Sequence, residues 1–307
     1  MTYDLAILGG GPAGVAAGVY AARKRLKTVF ITKDWNGQST ISEGVENWIG
    51  DIKISGIDLS KRLESHLKAY APGFIDVKEG ELATELAKTP GGFKITSSKG
   101  AYEARTILIA TGSSRRKLEI PGAGEYDNRG IVYCASCDGP LFAGQDVAVI
   151  GGGNAAFETA AQLLAYSKSV TMLVRSDFKA DPVTIDKVLA NPKLKAVKGA
   201  VPKEVRGGKF IIGLVYTTKD SDKDVLLPVT GIFVEIGSIP NTDFAKNVVK
   251  MDPYNRIIVD PMDQRVVGAE GIWAAGDCTD GLYHQNNIAA GDAVKAIENI
   301  YLYLHTQ

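Results

Sequence analysis

Leu5-Ala6-Ile7-Leu8-Gly9-Gly10-Gly11-Pro12-Ala13-Gly14 is the stretch that decides the fold. Four apolar residues closed off by glycine are too short for a helix. They read as a strand buried on both faces, as in a parallel sheet. Pro12 to Arg23 follows, rich in Ala and with helical spacing, and Thr28 to Ile31 supplies a second apolar strand. Gly9-x-Gly11-x-x-Gly14 therefore lies between a strand and a helix. There the pattern predicts a turn too crowded for side chains, with helix N–H groups directed at a pyrophosphate. Asp34 lies beyond the second strand and reads as a solvated loop charge.

The same plan returns at Val147-Ala148-Val149-Ile150. Gly151-x-Gly153-x-x-Ala156 follows, with Asn154 and Ala155 opening a helix to about Tyr166, and then a strand from Val170 to Val174. A third block, Gly271-Ile272-Trp273-Ala274-Ala275-Gly276-Asp277, is a short strand followed by a helix from about Ile288 to Leu304, and it matches the first module better than the second. The fold class is α/β, with two Rossmann-like dinucleotide-binding domains, the second inserted in the first. The expected boundaries are 1–114 with 245–307 for the discontinuous domain and 115–244 for the insert, the chain returning through Pro240-Asn241-Thr242. Ser55 to Tyr70 reads as an amphipathic helix, Phe93 to Thr96 and Thr106 to Ile109 as strands, and Pro90-Gly91-Gly92 as a turn.

At 307 residues the chain is long enough for two cores, and its 45% apolar and 23% charged composition is that of a globular protein. Thirty-five Lys and Arg balance thirty-five Asp and Glu. That balance leaves no basic surplus for a phosphate backbone or an anionic membrane, so no nucleic-acid or membrane partner is expected. No export segment and no apolar run of about 18 residues is present, which predicts a cytoplasmic protein.

Cys134-Ala135-Ser136-Cys137-Asp138 is the chemically loaded segment. A C-x-x-C pair at a helix start can close a reducible disulfide. Zinc is the rival, but zinc commonly takes four ligands, and Cys278, His66, His284 and His305 show no second paired spacing. Inert buried cysteines are the third reading. Asp138 is a proton relay or a cap. Cys278 reads as a small buried side chain, and the histidines as plain structural residues.

The combination of Gly9 to Gly14, Asn36-Gly37-Gln38, Glu46-Asn47, Ala110-Thr111-Gly112, the C-A-x-C-D pair, the second glycine turn, Ile239-Pro240-Asn241-Thr242, and Gly276-Asp277 with Gln285 resembles the low-molecular-weight thioredoxin reductase family over essentially the whole chain. The flavoprotein subunit of bacterial alkyl hydroperoxide reductase looks similar over the same stretch. The simple reductase is the expected nearer match, because no thioredoxin-like domains precede Gly9. The resemblance implies a homodimeric FAD enzyme that reduces thioredoxin or a similar small protein. Gly9, Gly11, Pro12, Ala13 and Gly14 would meet the pyrophosphate, and Gly37, Gln38 and Asn47 would line the flavin side. Ala110, Thr111 and Gly112 with Gly276, Asp277, Gln285, Asn286 and Ile288 would complete the FAD site. Gly151, Gly153, Asn154, Ala155 and Ala156 would take a nicotinamide dinucleotide. Cys137 would face the flavin, Cys134 would attack the partner disulfide, and Asp138 would supply the proton.

The family's NADPH members carry a His-Arg-Arg stretch after the second strand of the middle domain. Here that place reads Val174-Arg175-Ser176-Asp177-Phe178-Lys179. Arg175 and Lys179 remain, Asp177 opposes them, and no acidic residue closes the strand at 174 to mark NADH. The donor is left open between NADPH through a degraded clamp, NADH, ferredoxin and a deazaflavin. A flavoprotein oxidase or ferredoxin reductase on the same fold would need no C-x-x-C, and a redox-sensing or nucleotide-binding module would need no turnover.

Overall fold

The computed structural model describes residues 2–42, 44–219 and 221–306. In chain order it contains β1 (Thr2–Leu8), α1 (Pro12–Arg23), β2 (Thr28–Thr32), α2 (Gly56–Tyr70), β3 (Ile75–Glu79), β4 (Ala83–Thr89), β5 (Gly92–Ser97), β6 (Ala101–Ile109), β7 (Ser113–Arg115) and β8 (Ile131–Val132). Then come α3 (Ala135–Asp138), β9 (Asp146–Ile150), α4 (Asn154–Leu163), β10 (Ser169–Val174), α5 (Pro182–Leu189), β11 (Leu194–Lys198), β12 (Ala200–Gly207) and β13 (Ile211–Thr218). β14 (Ser221–Leu227), β15 (Gly231–Val234), β16 (Ser238–Pro240), β17 (Ile272–Ala274) and α6 (Asn286–Thr306) complete it. No helix among the described residues is long and apolar enough to cross a membrane.

The chain forms two compact units, Met1–Ser114 with Ile239–Gln307, and Arg115–Ser238. In the first, the sheet order is β3-β2-β1-β6-β5-β4, with β17 pairing the last residues of β6. β1, β2, β3, β6 and β17 run parallel, while β4 and β5 form an antiparallel meander. Alternate residues of β1 serve different layers. Leu5 and Ile7 pack with Val15 and Ala17 of α1 and Ala293 and Ile297 of α6. Ala6 and Leu8 pack with Phe93, Ile95, Ile257 and Ile272. Because both faces are covered, the strand reads as an unbroken apolar run rather than as an alternation. α2 begins where Ser55 accepts a hydrogen bond from the Asp58 N–H at 3.0 Å.

The second unit holds the parallel sheet β11-β10-β9-β15-β8 and a separate antiparallel sheet β12-β13-β14. Val147 and Val149 pack with Ala156, Phe157 and Ala160 of α4. Ala148 and Ile150 pack with Val205, Leu214 and Tyr216 of the antiparallel sheet. That second sheet is absent from the sequence reading. α4 ends at Leu163 rather than near Tyr166, because the N–H groups of Ala165 and Tyr166 turn back to carbonyls three residues earlier. The chain re-enters the first unit at Ile239, ahead of the Pro240-Asn241-Thr242 segment. The Asn241 N–H donates to the Gly112 carbonyl at 3.0 Å, and Ala245 is fully buried in the first unit's core.

Candidate functional site

In the first unit, β1 is followed by Gly9, whose φ of +115° is open only to glycine at low cost. A Cβ at Gly9 would strike the Ala110 carbonyl, one at Gly10 the Thr32 hydroxyl, and one at Gly14 the Gly9 carbonyl. Crowding by the protein itself explains these three glycines. It does not explain Gly11, where a Cβ would meet nothing within 4 Å and the backbone is extended, with φ −77° and ψ −174°. Gly11 caps α1 without a side-chain hydrogen bond, so the cap residue leaves the first N–H groups of the helix unpaired by a side chain of its own. A pyrophosphate fits this cradle.

Gly37 stands beside the turn, a Cβ there lying 4.0 Å from the Gly11 Cα and the Pro12 Cδ. Gln38 Nε2 donates to Asp277 Oδ2 at 2.9 Å and to Ser113 Oγ at 3.1 Å. Gly276, with φ +78°, lies against both α1 and α6: an added Cβ would stand 3.5 Å from the Ala13 Cβ and 3.2 Å from the Ala289 Cβ. Asn47 Nδ2 donates to Gln285 Oε1 at 3.1 Å, and Asn286 Nδ2 to Ser39 Oγ at 2.8 Å. Ala110-Thr111-Gly112 is held by Asn241, which accepts from the Thr111 hydroxyl at 2.7 Å and returns an Nδ2 donation at 3.0 Å. A cavity of about 340 Å³ is lined by Gly276, Asp277, Gln285 and Ile288 with Tyr283 and Asp292. Ser39 and Ser113, which sequence reasoning passes over, are the hydroxyl partners of Asn286 and Gln38. Asp34 instead supports the loop, accepting from the Asn36 N–H at 2.8 Å.

The second unit repeats the design. A Cβ at Gly151, φ +145°, would strike the Glu235 carbonyl, and one at Gly152 the Val174 side chain, whereas Gly153 faces open space and caps α4 without a side-chain bond. The Lys179 N–H donates to the Gly152 carbonyl at 2.7 Å, fixing the segment after β10 beside the turn. Arg175 and Lys179 are exposed there. Asp177 is paired with Lys198 at the end of β11, Nζ to Oδ1 3.2 Å. The opposing charge expected from Asp177 is therefore offset by a cation that only the β10–β11 pairing brings near. Because Asp177 and Lys198 are largely exposed, the pair is worth little on its own.

Cys134 and Cys137 form a disulfide, with Cα atoms 5.3 Å apart. Cys134 is the cap of α3, and its Sγ accepts from the Cys137 N–H at 3.2 Å. Ala135 is buried with Phe157 and Ala160 of α4, and Ser136 Oγ donates to Gln162 Oε1 at 2.8 Å. The disulfide is thus seated on the helix that the second glycine turn opens. Asp138 closes α3, its N–H donating to the Cys134 carbonyl at 3.0 Å. Both cysteines are half-buried. Cys278 is fully buried, its S–H 3.5 Å from the Ile109 and Ala275 carbonyls, and burial pushes its thiol up to about 11. After reduction, iodoacetamide at about pH 8 is expected to label Cys134 and Cys137 and to leave Cys278 unlabelled until the chain is denatured. Peptide mass spectrometry reads this directly, and labelling of Cys278 in the folded chain would contradict its packing.

A family model described as pyridine nucleotide-disulphide oxidoreductase matches residues 3–293. The chain belongs to this family. A Pseudomonas putida alkyl hydroperoxide reductase subunit is 38% identical over 298 residues, which are 96% of this chain and 56% of that protein. A Bacillus subtilis protein named NADH dehydrogenase is 36% identical over 98% of this chain and 58% of its own length. This member of the family thus spans somewhat over half the length of these curated relatives. Among solved structures, thioredoxin reductase from Streptococcus pyogenes superposes with a TM-score of 0.89 at 31% identity, covering 100% of this chain and 99% of that one. The thioredoxin reductase of Giardia duodenalis gives 0.91 at 29% identity, with 99% of each covered. The fold is that of the low-molecular-weight thioredoxin reductases, and the family is one of redox enzymes.

Proposed function

We propose that this oxidoreductase is a thioredoxin reductase-like flavoenzyme, cytoplasmic and homodimeric, in which the first unit holds FAD and the second holds the electron donor and the redox disulfide. The observation that carries the reading is the Cys134–Cys137 disulfide seated on α4, the helix opened by the second glycine turn. FAD, when bound, supplies a two-electron relay between the donor and that disulfide. Gly11 and the first N–H groups of α1 would hold its pyrophosphate. The Gln38–Asp277 pair would hold ribityl hydroxyls, and the Asn47–Gln285 pair would border the ring. In the dithiol form, the Cys134 thiolate attacks the disulfide of a thioredoxin-like protein. That attack frees one partner sulfur and leaves the other bonded to Cys134; Cys137 then attacks Cys134 Sγ, restores the Cys134–Cys137 bond and expels the second partner sulfur, with Asp138 delivering the proton to the leaving sulfur.

The donor is the open part of the cycle. A bidentate Arg contact to a 2′-phosphate is worth about 1.5 to 3 kcal/mol. Arg175 and Lys179 form no such pair, and β10 closes on Val174 rather than on a ribose-binding carboxylate. NADPH is therefore expected to reduce the flavin slowly and with poor affinity, NADH no better, and ferredoxin or a deazaflavin remains the competing reductant. Anaerobic stopped-flow of the oxidised protein against NADPH, NADH and reduced ferredoxin tests this. Rapid bleaching at micromolar NADPH would show that Arg175, Lys179 and the Lys198-offset Asp177 suffice as a clamp.

A further inference from the structure

Glu235 is a buried carboxyl for which the cycle above has no use. The sheet order β11-β10-β9-β15-β8 reverses direction in chain order between β9 and β15. In such sheets a ligand enters the crevice beyond the strands' carboxyl ends at that switch point. Glu235 is the first residue after β15, and its N–H donates to Ile150, the last residue of β9, at 2.8 Å. Its own carbonyl is the atom that requires glycine at Gly151. Its backbone is thereby a wall of the second dinucleotide turn.

The side chain is only 6% exposed. Oε1 accepts from Thr159 Oγ1 of α4 at 2.8 Å, and Oε2 lies 3.4 Å from an Arg115 guanidinium nitrogen. Glu158, also on α4, is the like charge that faces it. Desolvation raises its pKa from 4.5 to about 7, against the pull of Arg115 and Thr159 and with a small push from Glu158. At neutral pH the group stands near the midpoint of its titration.

We propose that Glu235 is the group by which the second unit tells the two redox forms of a nicotinamide dinucleotide apart, its carboxylate favouring the cationic oxidised ring over the neutral reduced one. The proposal rests on the nicotinamide reading of the Gly151–Gly153 turn. With Glu235 protonated, its neighbours Arg115 and Glu158 carry one positive and one negative charge. With Glu235 ionised, the pocket holds one more negative charge. The cationic ring therefore gains as pH rises, and the neutral ring is indifferent.

The test is equilibrium binding to the oxidised full-length protein across about pH 6 to 8.5. The probes are NAD⁺, NADP⁺ and their redox-inert 1,4,5,6-tetrahydronicotinamide analogues, whose ring is neutral. In the wild type, preference for the cationic ring should rise about three- to tenfold through about pH 7. Glu235→Gln should abolish the rise. Thr159→Val, which removes a donor that holds the carboxylate ionised, should move the inflection to higher pH and serves if the first variant folds poorly. A rise that persists in Glu235→Gln, or none in the wild type, overturns the assignment. If no probe binds the wild type saturably at up to about millimolar concentration, the nicotinamide reading itself fails and takes this proposal with it. That outcome is distinct from binding without discrimination.

Discussion

Gly11→Val is expected to give a folded, soluble protein without flavin. A Cβ at this position meets no protein atom within 4 Å, and the extended backbone there suits any residue. The cost in stability should stay within about 0.5 kcal/mol, as for surface substitutions. The branched side chain would instead fill the space in front of the α1 N-terminus and keep a pyrophosphate from its N–H groups. Losing two charge-assisted hydrogen bonds of about 1.5 to 3 kcal/mol each weakens the cofactor by about a hundredfold or more. Gly9→Val makes the control, since positive φ and the Ala110 carbonyl both oppose it, and it should fail to fold. The ratio of absorbance at the flavin and protein bands, with a thermal melt, reads both effects. A yellow Gly11→Val protein with one FAD per chain would show that this turn is not the FAD site.

Cys134→Ser and Cys137→Ser are each expected to lower protein-disulfide reduction by about three orders of magnitude or more, because thiol–disulfide exchange needs both sulfurs. Serine differs from cysteine by one atom, and a hydroxyl in place of the Cys134 thiol can still cap α3, so both variants should fold and keep FAD. Their spectra should differ. Cys134→Ser leaves the thiol assigned to the flavin side and should perturb the flavin absorption as a thiolate, whereas Cys137→Ser should not. Full thioredoxin-reducing turnover in either variant would contradict the assignment.

The parts of this molecule legible in the sequence are those where one local pattern admits a single solution. Leu5 to Leu8 and Val147 to Ile150 are apolar on consecutive positions because both faces of their sheets are covered, and the glycines after them announce turns. Gln38, Asn47, Asp277 and Gln285 are assigned to one site by a resemblance, and the structure pairs Gln38 with Asp277 and Asn47 with Gln285 across 238 to 239 residues of chain. What stays hidden depends on pairing at a distance. Lys198 comes to Asp177 only because β10 and β11 are neighbours, and Glu235 is one acid after an apolar strand until Ile150, Thr159 and Arg115 close around it. The β12–β14 meander gives little pattern because its last strand is exposed along most of its length, so no alternation survives. At Gly11 the motif predicts close approach to a pyrophosphate, and an added Cβ there meets no protein atom within 4 Å. Spacing cannot tell a glycine required by packing from one kept clear for a ligand, and only the empty space beside it does.

The central claim is that the flavin and the Cys134–Cys137 disulfide form one electron path, and anaerobic titration of the FAD-loaded protein with dithionite tests it most directly. The wild type should take up two electron pairs per chain, one bleaching the flavin and one opening the disulfide to two titratable thiols, while Cys137→Ser takes up a single pair. Uptake of only one pair by the wild type, with its disulfide still closed, would contradict the account.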